Sequence, residues 1–289
     1  MAPVDGDHFA MTFQCPLCGG QGPPEPLYVK RGICRCPGCG LVFYNGPAEP
    51  SGLYTERYFA GEEYRDYVGD RADIQRNFAD RVAAVRRHKP AGRLLEIGAA
   101  YGFFLDLARA HWQVRGIDVV PEAVAYGREK LGLDMRAADF LDLPDEPERY
   151  DAICLWDTIE HLRRPVETIR KAARWLAPGG VLAITTNDID SSLARLRGGK
   201  WRQIHPPSHL FYFSARTLEM AVRQAGLETV ELRHVGFHRR YKSMMHGLFV
   251  LGRRRSAWLY HLLTAGGRID FSIYLNLGDI MMLIARKGD

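Results

Sequence analysis

The stretch that decides the fold is Leu94-Leu95-Glu96-Ile97-Gly98-Ala99-Ala100-Tyr101-Gly102-Phe103-Phe104. An apolar run ends at Ile97, a turn with a glycine at each end follows, and a second apolar run begins at Phe103. This order predicts a buried strand, a tight turn and a helix. In a parallel sheet covered by helices, such a turn lies at the carboxyl ends of the strands, where ligands bind. Gly98 and Gly102 would let the backbone approach a ligand closely.

Strand and helix signals alternate around this turn. Strands are predicted at 93–97, 114–118, 133–137, 151–156 and 181–186, and helices at 103–111, 121–131 and 166–176. A further helix is predicted at 217–225, followed by two late strands at 227–234 and 279–285. Alternation of this kind predicts an α/β fold with a doubly wound, mostly parallel sheet.

Polar and aromatic residues follow the predicted strands. Asp118 closes the second strand, where a carboxylate can accept hydrogen bonds from both hydroxyls of a ribose. Asp139 and Phe140 follow the third strand as a pair able to bind the amino group of an adenine and stack on its ring. Trp156 ends the fourth strand. These positions predict a nucleoside-binding edge.

Five motifs in this order resemble the class I S-adenosylmethionine-dependent methyltransferases: E-x-G-x-x-x-G at 96–102, G-I-D at 116–118, A-D-F-x-x-L-P at 138–144, W-D-x-x-E-H-L at 156–162 and L-x-P-G-G at 176–180. The resemblance covers residues 93–188 and implies a seven-stranded sheet of order 3-2-1-4-5-7-6 with an antiparallel last strand. NAD, the alternative ligand of a glycine-bearing turn, is disfavoured by the later motifs. The sequence departs from the pattern at Ala100, where a middle glycine is expected. By resemblance, S-adenosylmethionine is bound by Glu96, Gly98, Gly102, Asp118, Asp139, Phe140 and the backbone around Trp156.

Two copies of C-P-x-C-G lie near the N-terminus, at residues 15–19 and 36–40, with 17 residues between them. This spacing is typical of a four-cysteine zinc ribbon. Four thiolates would fill the tetrahedron of the metal and leave no open position, so we expect a structural zinc. Cys34 is surplus to this set. The predicted ligands are Cys15, Cys18, Cys36 and Cys39.

A first candidate for the chemistry is Asp157-Thr158-Ile159-Glu160-His161, directly after the fourth strand. It resembles the E-x-x-E-H motif of ubiquinone-biosynthesis O-methyltransferases, in which carboxylates and a histidine hold a divalent cation near the acceptor. Asp157 stands for the first glutamate, and Pro165 stands where a further acid is expected. In the alternative interpretation, Asp157 caps the next helix and Glu160 and His161 bond locally.

A second candidate is residues 201–214, after the fifth strand, with two histidines and four aromatic residues. The H-x-x-Y-F-S pattern at 209–214 resembles zinc-containing sugar C-methyltransferases, whose catalytic histidine falls on His209. Ser208 replaces an acidic neighbour and Pro206 replaces a tyrosine. His209 is therefore the predicted base or acceptor-orienting group, with His205 as a second candidate. The alternative is a rigid aromatic lid whose histidines bond the backbone.

These features predict a zinc ribbon at 12–46, a helical connector at 47–90 and a methyltransferase domain at 91–289. The domain carries an insertion at about 236–277, predicted to be helical and amphipathic. It combines aliphatic and aromatic residues with arginines, which suits a lid or a homodimer face, and also a helix lying on a membrane surface.

The balance of charge bears on the partner. The formal net charge of +5 is mild, and the ribbon is poorly basic, so a small-molecule acceptor is predicted rather than a nucleic acid. An RNA-base methyltransferase and a non-catalytic S-adenosylmethionine-binding module stay as alternatives. Oxygen, nitrogen and carbon are all open as the accepting atom. Neither a signal-peptide pattern nor an apolar stretch of membrane-spanning length is present, and a cytoplasmic location is predicted.

Overall fold

A computed structural model of the chain describes residues 13–46, 71–145, 149–240, 258 and 271–289. Five short strands lie in its N-terminal part: β1 (Phe13–Gln14), β2 (Gln21–Gly22), β3 (Glu25–Tyr28), β4 (Ile33–Arg35) and β5 (Val42–Tyr44). The elements that follow are α1 (Arg71–His88), β6 (Gly92–Ile97), α2 (Phe103–Ala108), β7 (Trp112–Asp118), α3 (Pro121–Leu131), β8 (Met135–Ala137), β9 (Tyr150–Trp156), α4 (Pro165–Trp175), β10 (Leu176–Asn187), α5 (Ser192–Arg197), β11 (Phe211–Tyr212), α6 (Ala215–Gln224), β12 (Leu227–His234), β13 (Phe237–Arg240), β14 (Ser272–Leu275) and β15 (Ile280–Lys287).

The central sheet has seven strands in the order β12-β15-β10-β9-β6-β7-β8. The pairs between β10 and β8 are all parallel, whereas β15 runs antiparallel to both of its neighbours. Numbered along the chain, this order is 6-7-5-4-1-2-3. The predicted doubly wound α/β fold, its strand order and its reversed last strand are therefore confirmed.

Helices cover both faces of the sheet. On one face, Val166, Ile169 and Ala173 recur at spacings of three and four along α4, and all three are buried. On the other face, Val82 and Val85 of α1 pack in a second cluster with residues of α2 and β9. Because both faces are covered, the sequences of β9 and β10 are continuously apolar rather than alternating between apolar and polar residues.

Several predicted boundaries differ from the observed ones. Helix α2 ends at Ala108 instead of 111, because β7 already begins at Trp112 and pairs with Gly92 of β6. Strand β10 begins at Leu176 and runs through the Pro-Gly-Gly segment that was expected to separate helix from strand. The register with β9 shifts between Leu176 and Val181, so this segment is accommodated as a bulge.

The described ends of the predicted insertion, β13 and β14, pair with each other as an antiparallel two-stranded sheet. The helical prediction is therefore wrong at both described ends of the insertion, because residues 237–240 and 272–275 pair as strands. The helical prediction for 241–257 and 259–270 lies outside the described residues. No helix in the described part of the chain is both long and apolar enough to cross a bilayer.

The N-terminal strands join the rest of the protein through a second sheet. Its order is β11-β5-β4-β3, so β11, which lies between α5 and α6, adds to the edge of the ribbon. The ribbon thus pairs with a strand more than 160 residues away along the chain. The predicted boundary at residue 46, between the ribbon and the rest of the chain, therefore separates strands β5 and β11, which belong to one sheet.

Candidate active site

The turn between β6 and α2 uses three left-handed residues within five positions. Gly98 has φ of 76°, Ala100 of 45° and Gly102 of 79°. Glycine takes this conformation freely, whereas an L-residue such as Ala100 pays a cost of about 1–2 kcal/mol. The carboxylate of Asp118 accepts hydrogen bonds from the backbone N–H of Ala100 at 2.7 Å and of Val120 at 2.9 Å. Asp118 therefore holds the turn in place from the end of β7.

Buried polar atoms without a partner lie around this turn. Glu96 is 2% exposed, and its Oε2 has no hydrogen-bond partner among the described residues. Burial, together with the charge of Asp118, raises the pKa of Glu96 well above its usual value. The indole Nε1 of Trp156 is likewise buried and unpartnered within the described residues. Since buried polar groups are nearly always bonded, these atoms fit a site that receives a polar ligand.

The side chains of Asp139 and Phe140 both have partners within the protein. The Asp139 carboxylate accepts a hydrogen bond from the N–H of Leu141 at 2.8 Å and caps a short helical turn. The ring of Phe140 packs edge-on against Trp175, with centroids 4.9 Å apart, and lies 5.1 Å from the Lys171 ammonium. The ring is buried in the core, and its expected stacking on an adenine stays a prediction.

The two candidate clusters for the chemistry meet in space. The rings of His161 and His209 have centroids 4.6 Å apart, and His205 lies 6.0 Å from His209. Ligand atoms of Glu160, His161 and His209 all fall within 4.8 Å of one another, and Asp157 is not part of this group. The cluster borders the turn at 98–102, the predicted cofactor turn, because a Cβ on Gly98 would lie 2.5 Å from the side chain of Thr158, whose carbonyl accepts the N–H of His161.

The hydrogen bonds of the histidines define their tautomers. Nδ1 of His209 lies 3.0 Å from the carbonyl oxygen of Gln203, and Nδ1 of His161 lies 2.8 Å from that of Ser208. A carbonyl can only accept, so both Nδ1 atoms carry a proton. Burial and the neighbouring imidazoles lower the pKa of His209 to about 3, and burial lowers that of His161 to about 4. Both rings are therefore neutral near pH 7, with the lone pair on Nε2.

The other members of the cluster are braced locally. Glu160 Oε1 accepts a hydrogen bond from Asn187 Nδ2 at 3.2 Å. Burial, followed by the charge of Asp157, raises the pKa of Glu160 to about 8. Nδ1 of His205 donates to Ser208 Oγ at 2.8 Å, and that hydroxyl donates to the His205 carbonyl at 2.9 Å.

Comparison with known proteins identifies the family. Residues 70–232 match the family described as a methyltransferase domain, which is more than half of the chain. The chain belongs to this methyltransferase family. As the fold and motifs predicted, it is a class I methyltransferase that uses S-adenosylmethionine.

Three relatives are similar in sequence to this methyltransferase, each over a different share of its length. An uncharacterised protein of Methanocaldococcus jannaschii is 28% identical over 170 residues, which cover 59% of this chain and 80% of that protein. A ubiquinone biosynthesis O-methyltransferase of Xanthomonas campestris is 34% identical over 114 residues, 37% of this chain and 47% of the relative. The ubiquinone biosynthesis O-methyltransferase of Burkholderia pseudomallei is 27% identical over 164 residues, which cover 52% of this chain and 71% of that relative. The methyltransferase thus spans about half the length of the Xanthomonas relative.

Solved structures share the fold. A chain from the complex of a methyltransferase and its activator from Haloferax volcanii has a TM-score of 0.57 at 17% identity, with 76% of this chain and 92% of that chain covered. A structure described as a methyltransferase from Bacillus halodurans has a TM-score of 0.53 at 16% identity, with 74% of this chain and 100% of that chain covered. At this level of identity the similarity concerns the fold alone.

The glycine at position 98 leads to a prediction. We expect Gly98→Ala to destabilise the methyltransferase by about 2–4 kcal/mol, because left-handed strain adds to overpacking against Thr158. Gly132→Ala is the matched control, since Gly132 has φ of 66° but no atom within 4 Å of the added Cβ. Urea unfolding would measure both. Equal losses of unfolding free energy would show that crowding at position 98 is unimportant.

Arg81 is a candidate that sequence reasoning missed. It lies on α1, is 7% exposed, and its guanidinium lies 5.9 Å from the Trp156 ring. Its Nη2 is 3.4 Å from Asp157 Oδ2, while its Nε has no partner among the described residues. A signal was present, because Arg81 falls three residues after Phe78 and four before Val85, on the apolar stripe of the helix. A cation at a core position is a functional candidate.

Asp157 does not cap the following helical turn. The residue before that turn is Thr158, which makes no side-chain cap, so the capping interpretation of Asp157 is wrong. Asp157 has φ of 48°, and its carboxylate accepts from the Thr185 hydroxyl at 3.0 Å and pairs with Arg81. A non-glycine residue held in this conformation at a strand end is typical of functional sites.

The structure brings the four predicted zinc ligands together. Sγ of Cys15 lies 3.5 Å from that of Cys39, and Sγ of Cys18 lies 3.7 Å from that of Cys36. Zn–S bonds of about 2.3 Å in a tetrahedron require sulfur–sulfur distances of about 3.8 Å. The donor set therefore fits zinc. Cys34 is buried in β4 opposite Phe43, outside the group.

Proposed function

We propose that the protein transfers a methyl group from S-adenosylmethionine to a small-molecule acceptor, such as a sugar, a glycolipid precursor or a secondary metabolite, with His209 as the base. The observation that carries this proposal is the position of His209. Its ring is buried beside His161, whose N–H donates to the carbonyl of Thr158 beside Gly98, and its Nδ1 is held by a backbone carbonyl. This leaves Nε2 as the proton acceptor.

Bound S-adenosylmethionine supplies an electrophilic methyl group on a sulfonium, which a nucleophile attacks in line. An acceptor hydroxyl loses its proton as its oxygen bonds to the methyl carbon, and the electrons of the broken C–S bond go to sulfur. Neutral His209 would take that proton on Nε2. Base catalysis contributes about 10²- to 10⁴-fold to the rate when the pKa of the base lies near the working pH, and the low pKa of His209 predicts the lower end of this range. The relatives named as O-methyltransferases favour a hydroxyl as the first acceptor to test.

We also propose that Glu96, the turn at 98–102 and Asp118 bind the cofactor. Each Asp118 oxygen accepts one backbone N–H and retains a lone pair for a ribose hydroxyl. Glu96 Oε2 and Trp156 Nε1 offer unpartnered polar atoms within the described residues. Arg81 lies beside Trp156 and would receive the methionine carboxylate, which is the one anionic group of S-adenosylmethionine.

The assignment of Arg81 predicts a selective defect. Arg81→Ala should raise the Kd for S-adenosylhomocysteine about 10- to 100-fold, since a hydrogen bond to a charged group is worth about 1.5–3 kcal/mol. Binding of 5′-methylthioadenosine, which has no carboxylate, should change little. Arg76→Ala, on the exposed side of the same helix, is the matched control. Calorimetric titration with the two ligands measures both effects, and equal losses for both would contradict the role.

A cation at Glu160, His161 and His209 is a second candidate, because their ligand atoms lie within 4.8 Å of one another. One carboxylate and two imidazoles suit a borderline divalent ion such as Zn²⁺, Co²⁺ or Ni²⁺. Such an ion would polarise an acceptor oxygen. Titration of chelator-treated protein with Co²⁺, monitored by its visible absorption, would show a second metal beyond that of the cysteines. Glu160→Gln should abolish this signal.

The function as a whole is tested by an acceptor screen. Purified protein and S-adenosylmethionine carrying a labelled methyl group would be incubated with sugar nucleotides, phenols, glycolipid precursors and RNA. We expect transfer to a small molecule and formation of S-adenosylhomocysteine. Transfer to RNA would favour the RNA-base methyltransferase. Tight cofactor binding without transfer to any class would favour a non-catalytic binding module.

A further inference from the structure

We propose that the ribbon (residues 13–46) holds the segment that carries His209, and that its zinc thereby sets the position of His209. This inference rests on the proposed role of His209 and on the fit of zinc to the four cysteines. It goes beyond the expected structural role of the zinc. The contacts between the ribbon and the segment 203–212, here called the histidine loop, carry the argument.

The second C-P-x-C-G turn, at residues 36–40, leads directly into the strand that contacts this loop. In this turn the N–H of Gly40 donates to the carbonyl of Cys36, and the N–H of Cys36 donates to the carbonyl of Leu41, both at 2.8 Å. Strand β5 begins at Val42, three residues after Cys39. The zinc-binding turn thus defines where β5 starts and in which direction it runs.

Strand β5 then pairs with the end of the histidine loop. Val42 lies opposite Tyr212 and Phe43 lies opposite Phe211 in an antiparallel pair. The N–H of Tyr44 donates to the carbonyl of Leu210 at 2.8 Å. Leu210 is the residue after His209, so the backbone bond nearest to the candidate base on this side comes from the ribbon.

The ribbon and the loop also share their apolar core. Ile33 and Val42 of the ribbon are buried in one cluster with Trp201, Ile204 and Tyr212. Three of the four predicted zinc ligands, Cys15, Cys36 and Cys39, are buried in another cluster, the main core, which also contains Phe211 and Phe213. A ribbon of this size cannot build a core of its own, and here it completes one with the histidine loop.

On its other side the loop is held by the short turn after β9. The N–H of Leu210 donates to the carbonyl of Glu160 at 2.8 Å, and His161 Nδ1 donates to the carbonyl of Ser208 at 2.8 Å. The histidine loop therefore lies between the ribbon and the 159–161 turn. If β5 is displaced, the loop loses the backbone bonds from the ribbon, and we expect His209 to move relative to the 98–102 turn.

The cofactor turn has different supports. Its Gly98 N–H donates to the carbonyl of Ile117 at 2.8 Å, and its Ala100 N–H donates to Asp118. Both partners belong to β7, in the central sheet. Loss of zinc should therefore change turnover while leaving the affinity for S-adenosylmethionine nearly unchanged. Lower turnover with unchanged affinity for S-adenosylmethionine would indicate that zinc positions His209, whereas a general loss of folding would reduce both turnover and affinity.

The first experiment removes zinc and measures three quantities. Chelation of the full-length protein should speed amide hydrogen exchange at Tyr44 and in 208–212, lower kcat by about 10- to 100-fold, and leave the Kd for S-adenosylmethionine within about twofold. Unchanged exchange in 208–212 after complete zinc loss would overturn the proposal. Faster exchange in 208–212 with unchanged kcat would confirm the coupling and contradict the role of His209, so the two failures are distinguishable.

The second experiment breaks the link while the cysteines stay intact. Tyr44→Pro removes the N–H that bonds Leu210, and Tyr44→Ala keeps it, while both remove the same ring. We expect about one zinc per chain and normal cofactor affinity in both variants. Exchange in 208–212 should be faster, and kcat about tenfold lower, in Tyr44→Pro than in Tyr44→Ala. Equal exchange and equal kcat in zinc-loaded samples of the two variants would overturn the proposal, even if chelation unfolds the protein.

Discussion

Replacing His209 with alanine should lower kcat by about 10²-fold, the lower end of the range for a lost general base because the pKa of His209 is low, while the Kd for S-adenosylmethionine stays within about twofold. The physical reason is the orientation of the ring. Nδ1 is bound to the carbonyl of Gln203, so the only basic atom is Nε2, and burial beside two further imidazoles keeps the ring neutral. The measurement is single-turnover transfer with an acceptor found in the screen, together with calorimetric titration of the cofactor.

Three further variants sharpen this result. His209→Gln keeps a polar side chain without a base and should be nearly as slow as alanine. His111→Ala, a histidine that packs on Trp112 away from the cluster, should have normal kcat. His205→Ala tests the second candidate, since its ring is bonded to Ser208 and is expected to have a smaller effect. Normal turnover in His209→Ala together with slow turnover in His205→Ala would move the base to His205.

Asp118→Ala should raise the Kd for S-adenosylmethionine by about 100-fold or more. Two effects add, because the carboxylate holds the backbone of the cofactor turn at Ala100 and Val120 and also faces the expected position of the ribose. Each hydrogen bond to a charged group is worth about 1.5–3 kcal/mol, and 1.4 kcal/mol corresponds to a tenfold change in affinity. Equilibrium titration of the folded variant measures the loss.

Controls separate binding from folding. Asp118→Asn keeps one acceptor oxygen and should bind with intermediate affinity. Asp134→Ala removes a carboxylate that pairs with Arg115 on the surface, so it should bind the cofactor normally. Thermal unfolding of each variant without ligand shows whether the turn alone has been destabilised. Cofactor affinity in Asp118→Ala equal to that of the unaltered protein would remove Asp118 from the binding site and leave it a purely structural brace.

Much of the cofactor half of the site could be predicted from local sequence. A strand, a glycine-bearing turn and a helix are encoded within about ten residues, and the acid after the next strand follows from the same pattern. Phe140 shows where this reasoning stops. Its place in the motif predicts stacking on a ligand, but Trp175 and Lys171 from α4 surround its ring, and helix packing of this kind cannot be deduced from neighbours along the chain.

The sequence by itself determined the fold class, the strand order by resemblance, the four-cysteine set and the glycine-bearing turn after the first sheet strand, because periodicity, turn chemistry and motif spacing are local properties. The tertiary structure alone decided that His161 and His209, 48 positions apart, lie in one cluster. It also placed Arg81 beside Trp156 and joined the ribbon to the histidine loop. These arrangements depend on which distant apolar surfaces are buried together and on sheet register, and neither is specified by any short stretch of residues.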